Sequence, residues 1–402
     1  MENVFIINCS KEKVTYQAKA SDMYCSERFN LSKKIVESNN NEWYILSSRY
    51  GLLKPNTIID PYDKHIDDLT KTEKNVYVAK VIKQFSDFNI SNKKRIIFLC
   101  DSLYVNDIFK ELERKKYKII SPFSHLNPVM WGQYLKQLDN SPRLKLINDL
   151  YEIFNSFKKQ KGKILKLKEL VKSEFVPTKG LYVFFNEDEQ RILTPTQNRI
   201  VRVGTHAVSE GAKSKLYQRL KQHKGMNSLD GNHRSSIFRL HVGNALIQKN
   251  NLECNTWGQN IKINEKQKKQ ESIIEKMVSE YIGEMPVLLI NINDNSSKFS
   301  DRSYIEQNMI ALLSDNFLPI DVQYENWLGN YSIHEAVRSS SLWNVDYTKN
   351  KNYDKNFLEI LQIHIDITLG KIVDTGKSYA PKDWYSLSKN NYSNNLFSNE
   401  NE

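Results

Sequence analysis

Short apolar runs separated by amphipathic segments dominate the first part of the chain. Val4–Cys9, Trp43–Ser47 and Arg95–Cys100 have the length and apolar content of buried strands. Between them, LSKKIVES and VYVAKVIKQF carry apolar residues three and four positions apart, which predicts amphipathic helices. Strands and helices in alternation predict an α/β fold with an open, mostly parallel sheet and flanking helices. A helical pattern from Pro128 to about Phe157 closes this domain, which we place at residues 1–157.

The pattern changes after a lysine-rich segment at residues 158–177, for which we predict a basic linker helix. GLYVFF and RIVRVG flank a polar loop and predict a β-hairpin, and SIFRLHV alternates like a third strand. SKLYQRLKQH and SYIEQNMIALLSDN predict helices, and PVLLINI predicts another strand. We therefore predict a second α/β domain with a small mixed sheet at residues 178–370. The polar tail at 371–402 is expected to be disordered.

Composition narrows the classes of protein. Lys and Arg number 58 against 47 Asp and Glu, and the resulting formal charge of +11 favours a polyanionic partner such as nucleic acid. No segment approaches the roughly 20 apolar residues of a membrane-spanning helix, and no export signal is evident. We expect a soluble, cytoplasmic protein with no membrane partner. The four cysteines form no CxxC pair, which favours reduced thiols and no structural zinc.

The second domain carries four short elements in a defined order. They are Gly180-Leu181-Tyr182, Arg202-Val203-Gly204, Arg219 with His223, and Glu306 within YIEQNMIALL. In this order, over residues 178–345, they resemble the GIY-YIG nuclease family. The resemblance implies a metal-dependent endonuclease that hydrolyses phosphodiester bonds in DNA.

Each requirement of phosphodiester hydrolysis has a candidate residue. The reaction needs an activated water, a cation on the phosphate oxygens and neutralisation of the leaving oxygen. Glu306 is the candidate ligand for one Mg²⁺ or Mn²⁺, and Arg219 offers a fork of donors to the phosphate. The resemblance places Tyr182 near the attacking water. His223 lies one helical turn from Arg219, where it could bond the phosphate or the leaving oxygen.

The second tyrosine of the family signature is replaced by Arg202. Either Tyr182 activates the water alone, or His206 beyond the strand acts as the base, or the domain has lost activity. The family also has a late asparagine that braces the site. Asn326 is our candidate for it, with Asn316 as the competitor.

Further basic residues near these elements predict contacts with phosphates, which supply affinity without sequence information. The set comprises Lys213, Lys215, His233, Arg234 and Arg239. Arg239 lies on the strand predicted for SIFRLHV, together with His241.

Polar residues follow the predicted strands of the first domain, at the sheet edge where ligands bind in open α/β folds. NCSKEK, LSSRYGLLKP and DPYD resemble an uncharacterised bacterial domain that is distantly similar to the uracil-DNA-glycosylase type of α/β fold. This resemblance covers about residues 3–140. We predict a nucleobase pocket, of the kind that accepts an extruded base. Its candidates are Asn8, Ser10, Lys11, Arg49, Tyr50, Tyr62 and Asp63.

A base-recognising domain joined to a nuclease predicts cleavage of modified double-stranded DNA, as in restriction or defence against phage. The first domain would either excise the base or only read it. A homodimer would allow both strands to be cut. Two other functions stay open: an RNA or tRNA base-processing enzyme, and a catalytically inactive protein that binds nucleic acid.

Overall fold

The computed structural model describes residues 2–38, 41–162, 164–171 and 176–384. The chain divides into two compact units. Unit 1 contains the residues up to Lys145 and two later segments, Glu189–Asn198 and Ile320–Trp327. Unit 2 contains Leu146–Asp188, Arg199–Pro319 and the residues from Leu328 onward. The predicted α/β class is confirmed.

A five-stranded sheet forms the centre of unit 1. The strands of this unit are β1 (Asn3–Asn8), β2 (Ala18–Lys19), β3 (Glu42–Ser47), β4 (Gly51–Leu53), β5 (Ile58–Ile59), β6 (Arg95–Leu99) and β7 (Lys118–Ile120). Its helices are α1 (Ala20–Met23), α2 (Glu27–Ser38), α3 (Lys71–Asp87), α4 (Ser102–Arg114) and α5 (Trp131–Leu138). The sheet order is β4-β3-β1-β6-β7, and only β4 runs antiparallel to its neighbour.

The three strands predicted from apolar runs are β1, β3 and β6. Every residue of β1 and β6 is buried, as expected for parallel strands that are covered on both faces. Parallel strands place their carboxyl ends at one edge. The residues that follow β1, β3 and β6 therefore meet there, and they form the wall of a pocket.

The two later segments complete unit 1 through buried polar contacts. Arg191 Nε lies 2.7 Å from Asp321 Oδ2, and both side chains are almost fully buried. Arg95 Nη2 donates to the Arg191 carbonyl at 2.7 Å, and the Tyr134 hydroxyl donates to the Ile320 carbonyl at 3.0 Å. Unit 1 is therefore assembled from three separate parts of the chain.

Unit 2 contains a three-stranded antiparallel sheet and a set of helices. Its helices are α6 (Pro142–Lys161), α7 (Leu216–Lys224), α8 (Ile237–Asn250), α9 (Glu265–Gly283), α10 (Asp301–Ser314), α11 (Glu335–Ser340) and α12 (Phe357–Thr368). Its strands are β8 (Gly180–Gln190), β9 (Asn198–Gly204) and β10 (Val287–Asn291), in the order β10-β8-β9. None of the helices in the described residues is long and apolar enough to cross a bilayer.

The strand predicted for SIFRLHV is wrong, because Ile237–Asn250 is helix α8. Ser236 caps its N-terminus by accepting a hydrogen bond from the Arg239 N–H at 3.2 Å. Arg239 and His241 provide the polar positions of the alternating pattern, and both are buried in the structure. The alternation over six residues therefore does not mark a strand with one polar, exposed face. Buried apolar residues further along, such as Ala245 and Leu246, reveal the helical period.

Two predicted segments also differ from the structure. The basic linker at 158–177 is not a separate helix: Lys158–Lys161 form the last turn of α6, and a 3₁₀ turn follows at Leu167–Glu169. Residues 163 and 172–175 lie outside the described chain. The start of the tail predicted as disordered is held in place, since the Tyr379 and Ala380 N–H groups donate to Asp301 at 2.9 Å. Residues 385–402 lie outside the described chain.

Candidate active site

A buried hydrogen-bonded array links the first strand of the unit 2 sheet to two helices. The Tyr182 hydroxyl lies 3.0 Å from His223 Nε2, and His223 Nδ1 lies 2.7 Å from Ser236 Oγ. β8 supplies the tyrosine, α7 the histidine and the cap of α8 the serine. Burial, with the nearby Arg202 and Arg219, lowers the pKa of His223 well below its usual value. The imidazole is therefore neutral at neutral pH.

The sequence predicts that His223 bonds the phosphate or the leaving oxygen, but the structure buries this side chain. Its side chain is 0% exposed and both ring nitrogens are engaged. The helix turn that carries it points it at Tyr182 instead. His223 is therefore a positioning residue for the tyrosine hydroxyl.

The two signature glycines are required by close approach. A Cβ at Gly204 would lie 2.4 Å from the Tyr182 hydroxyl oxygen, and one at Gly180 would lie 2.0 Å from the Ile290 carbonyl oxygen. Both distances are far inside van der Waals contact. The glycines thus let β8 and β9 bring the tyrosine into its place.

All residues of α10 are buried except Ser303 and Glu306, which are half-buried. Burial raises the pKa of Glu306 to about 7, although the cations of Arg202 and Arg219 and a backbone hydrogen bond from Thr205 favour the carboxylate. Negative charge on Asp346 adds to the rise. Glu306 is therefore a carboxylate whose charge is only partly compensated.

Arg202 stands where the family has its second tyrosine, and it is 8% exposed. Nη1 donates to the Trp343 carbonyl at 2.7 Å, and the guanidinium lies 4.7 Å from the centre of the Phe238 ring. Its Nε has no hydrogen-bond partner among the described residues. Arg202 supplies a fixed positive charge near Glu306, which a tyrosine would not.

Arg219 and His206 line one open cleft of about 570 Å³, as their predicted roles require. Arg219 is half-buried, and Nη1 donates to Gln222 Oε1 at 3.2 Å and to the Ser235 carbonyl at 3.3 Å. Burial, then the charge of Arg302, lowers the pKa of His206 to about 4, so the ring is neutral. Thr205, which bonds Glu306, lines the same cleft.

The bracing asparagine is Asn344 rather than Asn326. Asn344 Oδ1 accepts from the Val203 N–H at 3.1 Å, and its Nδ2 donates to the Val203 carbonyl at 2.8 Å. This pair fixes β9 next to Arg202. Asn326 is exposed and belongs to unit 1, so it does not brace this strand. The sequence offers no local signal for Asn344, because its partner lies 141 residues away.

Three residues predicted to bind phosphate form hydrogen bonds with carboxylates of the protein. Arg239 is fully buried against Glu275, with Nε at 2.9 Å from Oε2, and His233 Nδ1 lies 2.9 Å from Oε1 of the same carboxylate. Arg234 forms a two-pronged pair with Glu271, both contacts being 2.8 Å. Arg239 and His233 are buried against Glu275 and are therefore not placed to meet a phosphate, whereas Arg234 is exposed and its phosphate contact stays a prediction. Lys213 and Lys215 are exposed.

The donors present fit a single divalent cation. Mg²⁺ keeps several of its waters and is commonly held by one or two carboxylates together with substrate phosphate. Glu306 supplies one partly compensated carboxylate, with Asp346 close enough to influence it. Among the described residues, no group of three or more His, Cys, Asp or Glu side chains surrounds a metal position. Glu306 is thus the residue that would hold the ion.

A pocket lies at the sheet edge where the sequence predicts one, and only some of the predicted residues line it. Asn8, Ser10 and Lys11 line a pocket in unit 1. Tyr62 cannot stack a base, because its ring is buried and its hydroxyl lies 2.8 Å from Ser47 Oγ and 3.0 Å from the Tyr24 hydroxyl. Three other candidates do not line this pocket, namely Arg49, Tyr50 and Asp63. Residues outside the candidate set also line the pocket, namely Cys9, Arg28, Ser48, Asp101 and Tyr104.

Comparison with known families decides the class of unit 2. The family model described as "GIY-YIG domain" matches residues 141–370, more than half of the chain. The chain belongs to this family. A GIY-YIG domain supports a nuclease of the GIY-YIG type with DNA as its substrate.

Residues 4–140 match a second model, described as a family of unknown function (DUF6884). The likeness to uracil-DNA glycosylases stays a prediction. Neither the curated proteins nor the solved structures gave a match to this GIY-YIG chain.

Proposed function

We propose that this GIY-YIG protein is a Mg²⁺- or Mn²⁺-dependent DNA endonuclease whose N-terminal domain directs it to modified bases, for restriction or defence against phage. The observation that carries the proposal is the hydrogen-bonded alignment of Tyr182 by His223, which shares Arg202 and Arg219 as neighbouring charges with the partly compensated Glu306.

The array prepares the Tyr182 hydroxyl to orient the attacking water. When His223 Nδ1–H donates to Ser236, Nε2 accepts the Tyr182 O–H. The remaining lone pair of the phenolic oxygen is then available to accept a hydrogen bond from the attacking water and to orient it, while the proton of the water passes to solvent. Because burial and the nearby cations keep the imidazole neutral, His223 orients the hydroxyl and does not store a proton.

The remaining groups act on the phosphate. Arg219 on the cleft wall can offer parallel donors to two phosphate oxygens and so stabilise the charge that builds up as the P–O bond breaks. Bound at Glu306, a divalent ion would supply Lewis-acid stabilisation of the same phosphate. Arg202 holds positive charge near Glu306 without contacting Tyr182 in any hydrogen bond, so Tyr182 acts without the second tyrosine.

Cleavage of phage DNA that carries hydroxymethylated or glycosylated bases tests the proposal. Wild type, Glu306→Gln and Tyr182→Phe are compared on modified and unmodified DNA with Mg²⁺ or EDTA. We expect the wild type to cut only modified DNA, and only when Mg²⁺ is present. Both variants should cleave about 10²–10⁴ times more slowly. Glu359→Gln, on the exposed face of α12, is the matched control and should cut normally.

Two outcomes would contradict the proposal. Cutting that persists in EDTA and in Glu306→Gln would remove the role of the metal and of its carboxylate. No cutting of any DNA by the wild type, with retained DNA binding, would identify an inactive scaffold in which Arg202 marks the loss of catalysis. A further arm of the assay uses a tRNA substrate, and cleavage of this RNA without cleavage of any DNA would favour the base-processing alternative.

A further inference from the structure

A pocket of about 400 Å³ opens at the carboxyl edge of the unit 1 sheet. Pockets of a few hundred Å³ are typical for small-molecule ligands. Asn8 and Cys9 come from the end of β1, Ser48 follows β3, and Asp101 and Tyr104 follow β6. The walls are therefore built on the rigid centre of the sheet, so the pocket has a defined shape.

Asn8 places an unpartnered acceptor in this wall. The residue is 8% exposed, and its Oδ1 has no hydrogen-bond partner among the described residues. A buried polar group left in this state costs about 1–3 kcal/mol, and such groups are rare in folded proteins because a partner, a water or a ligand usually satisfies them. A ligand N–H that enters the pocket would satisfy Oδ1. The Asp101 side chain lines the same pocket, and its carboxylate is also a hydrogen-bond acceptor.

Cations surround the same space. Lys11, Arg28 and Lys64 line the pocket, and so does Lys13, whose Nζ lies 4.5 Å from the centre of the Tyr62 ring. Glu12 and Asp101 are the acidic residues of the lining, so positive charge exceeds negative by two. A ligand that complements this pocket has an anionic end and an end with N–H donors.

We propose that the unit 1 pocket binds a single nucleotide, with its phosphate on Lys11, Arg28 and Lys64 and an N–H edge of its base on Asn8 Oδ1. This inference deepens the targeting role in the proposed function and rests on it where the nucleotide belongs to DNA. The same chemistry can come from a free nucleoside monophosphate or from a nucleotide extruded from a strand. The experiment separates these two sources.

Calorimetric titration of the full chain tests the binding. The probes are the deoxynucleoside 5′-monophosphates, the corresponding nucleosides, inorganic phosphate, and a short single-stranded and a duplex oligonucleotide. We expect saturable binding of at least one monophosphate, with the nucleoside and phosphate each at least about tenfold weaker, since each keeps only part of the contacts. A free nucleotide that competes with the oligonucleotide identifies a shared pocket, whereas a monophosphate that binds without such competition identifies the free nucleotide as the ligand.

Asn8→Val separates a ligand contact from a structural one. It removes an acceptor that has no partner, so the melting temperature should stay equal or rise while affinity falls at least about tenfold. Asn3→Val is the matched control, because Asn3 lies on the same strand with the same 8% exposure, and its Nδ2 donates to the Ile192 carbonyl at 3.1 Å. It should lower the melting temperature and leave affinity unchanged.

The phosphate end has an independent test. The double variant Lys11→Gln/Arg28→Gln should weaken the monophosphate at least about tenfold and leave the nucleoside unaffected. The surface substitution Lys110→Gln on α4 should change neither. Because Lys11 is exposed and Arg28 is half-buried, this variant keeps the proposal testable if Asn8→Val fails to fold.

Two results would overturn the inference: absence of saturable binding of any monophosphate to the wild type at millimolar concentration, or unchanged affinity in a folded Asn8→Val. Glu306→Gln should bind the monophosphate as the wild type does. Wild type that binds through Asn8 but cleaves no nucleic acid would refute the nuclease proposal alone. Wild type that cleaves modified DNA without nucleotide binding would refute this inference alone.

Discussion

Replacing Gly204 by alanine would separate Tyr182 from its histidine. The added Cβ would lie 2.4 Å from both Cζ and the hydroxyl oxygen of Tyr182. Because such atoms pack no closer than about 3.5 Å, the ring has to retreat by roughly 1 Å. The tyrosine is held by Phe184 and His223, so it cannot retreat freely. A hydrogen bond of 3.0 Å to His223 would then stretch beyond useful length.

Overpacking of this kind costs about 1–3 kcal/mol of stability, and a water-orienting hydroxyl that is displaced by about 1 Å costs about 10² in rate. We would measure single-turnover DNA cleavage together with urea unfolding for Gly204→Ala, for Tyr182→Phe and for the double variant. If both substitutions act through one hydrogen bond, the double variant should be no slower than the slower single variant.

Gly132→Ala is the control, because a Cβ there would meet no atom within 4 Å. It should leave both rate and stability near the wild type. Full activity and full stability in Gly204→Ala would refute the reasoning, since the ring would then have moved without consequence. Multiplicative losses in the double variant would show that the glycine acts by another route.

Three further perturbations follow from buried contacts in unit 2. Ser236→Ala removes the cap of α8 and the hydrogen-bond partner of His223. We expect stability to fall by about 1 kcal/mol in urea unfolding and cleavage to become slower, and Ser236→Thr should restore both. Cleavage that stays slow in Ser236→Thr would contradict this. Glu275→Gln leaves the buried Arg239 poorly paired, which should lower the free energy of unfolding by about 3 kcal/mol in urea. The control Glu265→Gln, at an exposed position of the same helix, should leave the free energy of unfolding nearly unchanged. Equal effects of the two substitutions would contradict the importance of the buried pair. Burial, with His334 and Arg202, lowers the pKa of His241 to about 3, below its unfolded value of about 6.5. The unfolded chain therefore binds the proton first, and the contribution of His241, which is full above pH 6.5, should fall by about 2 kcal/mol at pH 5. His206 and His223 add losses of the same sign, so His241→Gln should reduce the slope without abolishing it, and an unchanged slope would refute the contribution of His241.

The sequence predicted those features that depend on local pattern. Continuous apolar runs identified β1, β3 and β6, and the order of short elements identified the family. Contacts between distant residues escaped prediction. Arg239 and His233 looked like surface cations because Glu275 lies 36 and 42 residues away, and charged residues are rarely buried without such a partner. Asn344 was missed for the same reason.

Local pattern also misled where the window was short. Six residues at the start of α8 alternate between apolar and polar, which is typical of a strand. The cap at Ser236 and the later apolar positions indicate a helix instead. In unit 1, the strand ends were located correctly, but the direction of each side chain was not. Tyr62 turned inward to Ser47, while Ser48 and Tyr104 reached the pocket.

The three-part assembly of unit 1 limits how this protein can be inherited and made. Glu189–Asn198 and Ile320–Trp327 lie inside the 141–370 stretch that matches the nuclease family, yet they complete the N-terminal unit through Arg191 and Asp321. On the ribosome, the N-terminal unit cannot finish folding until residue 327 has emerged. Recombination at residue 140 would leave Arg95 without its buried carbonyl partner. The two domains are therefore expected to pass between genomes as one gene and not as interchangeable cassettes.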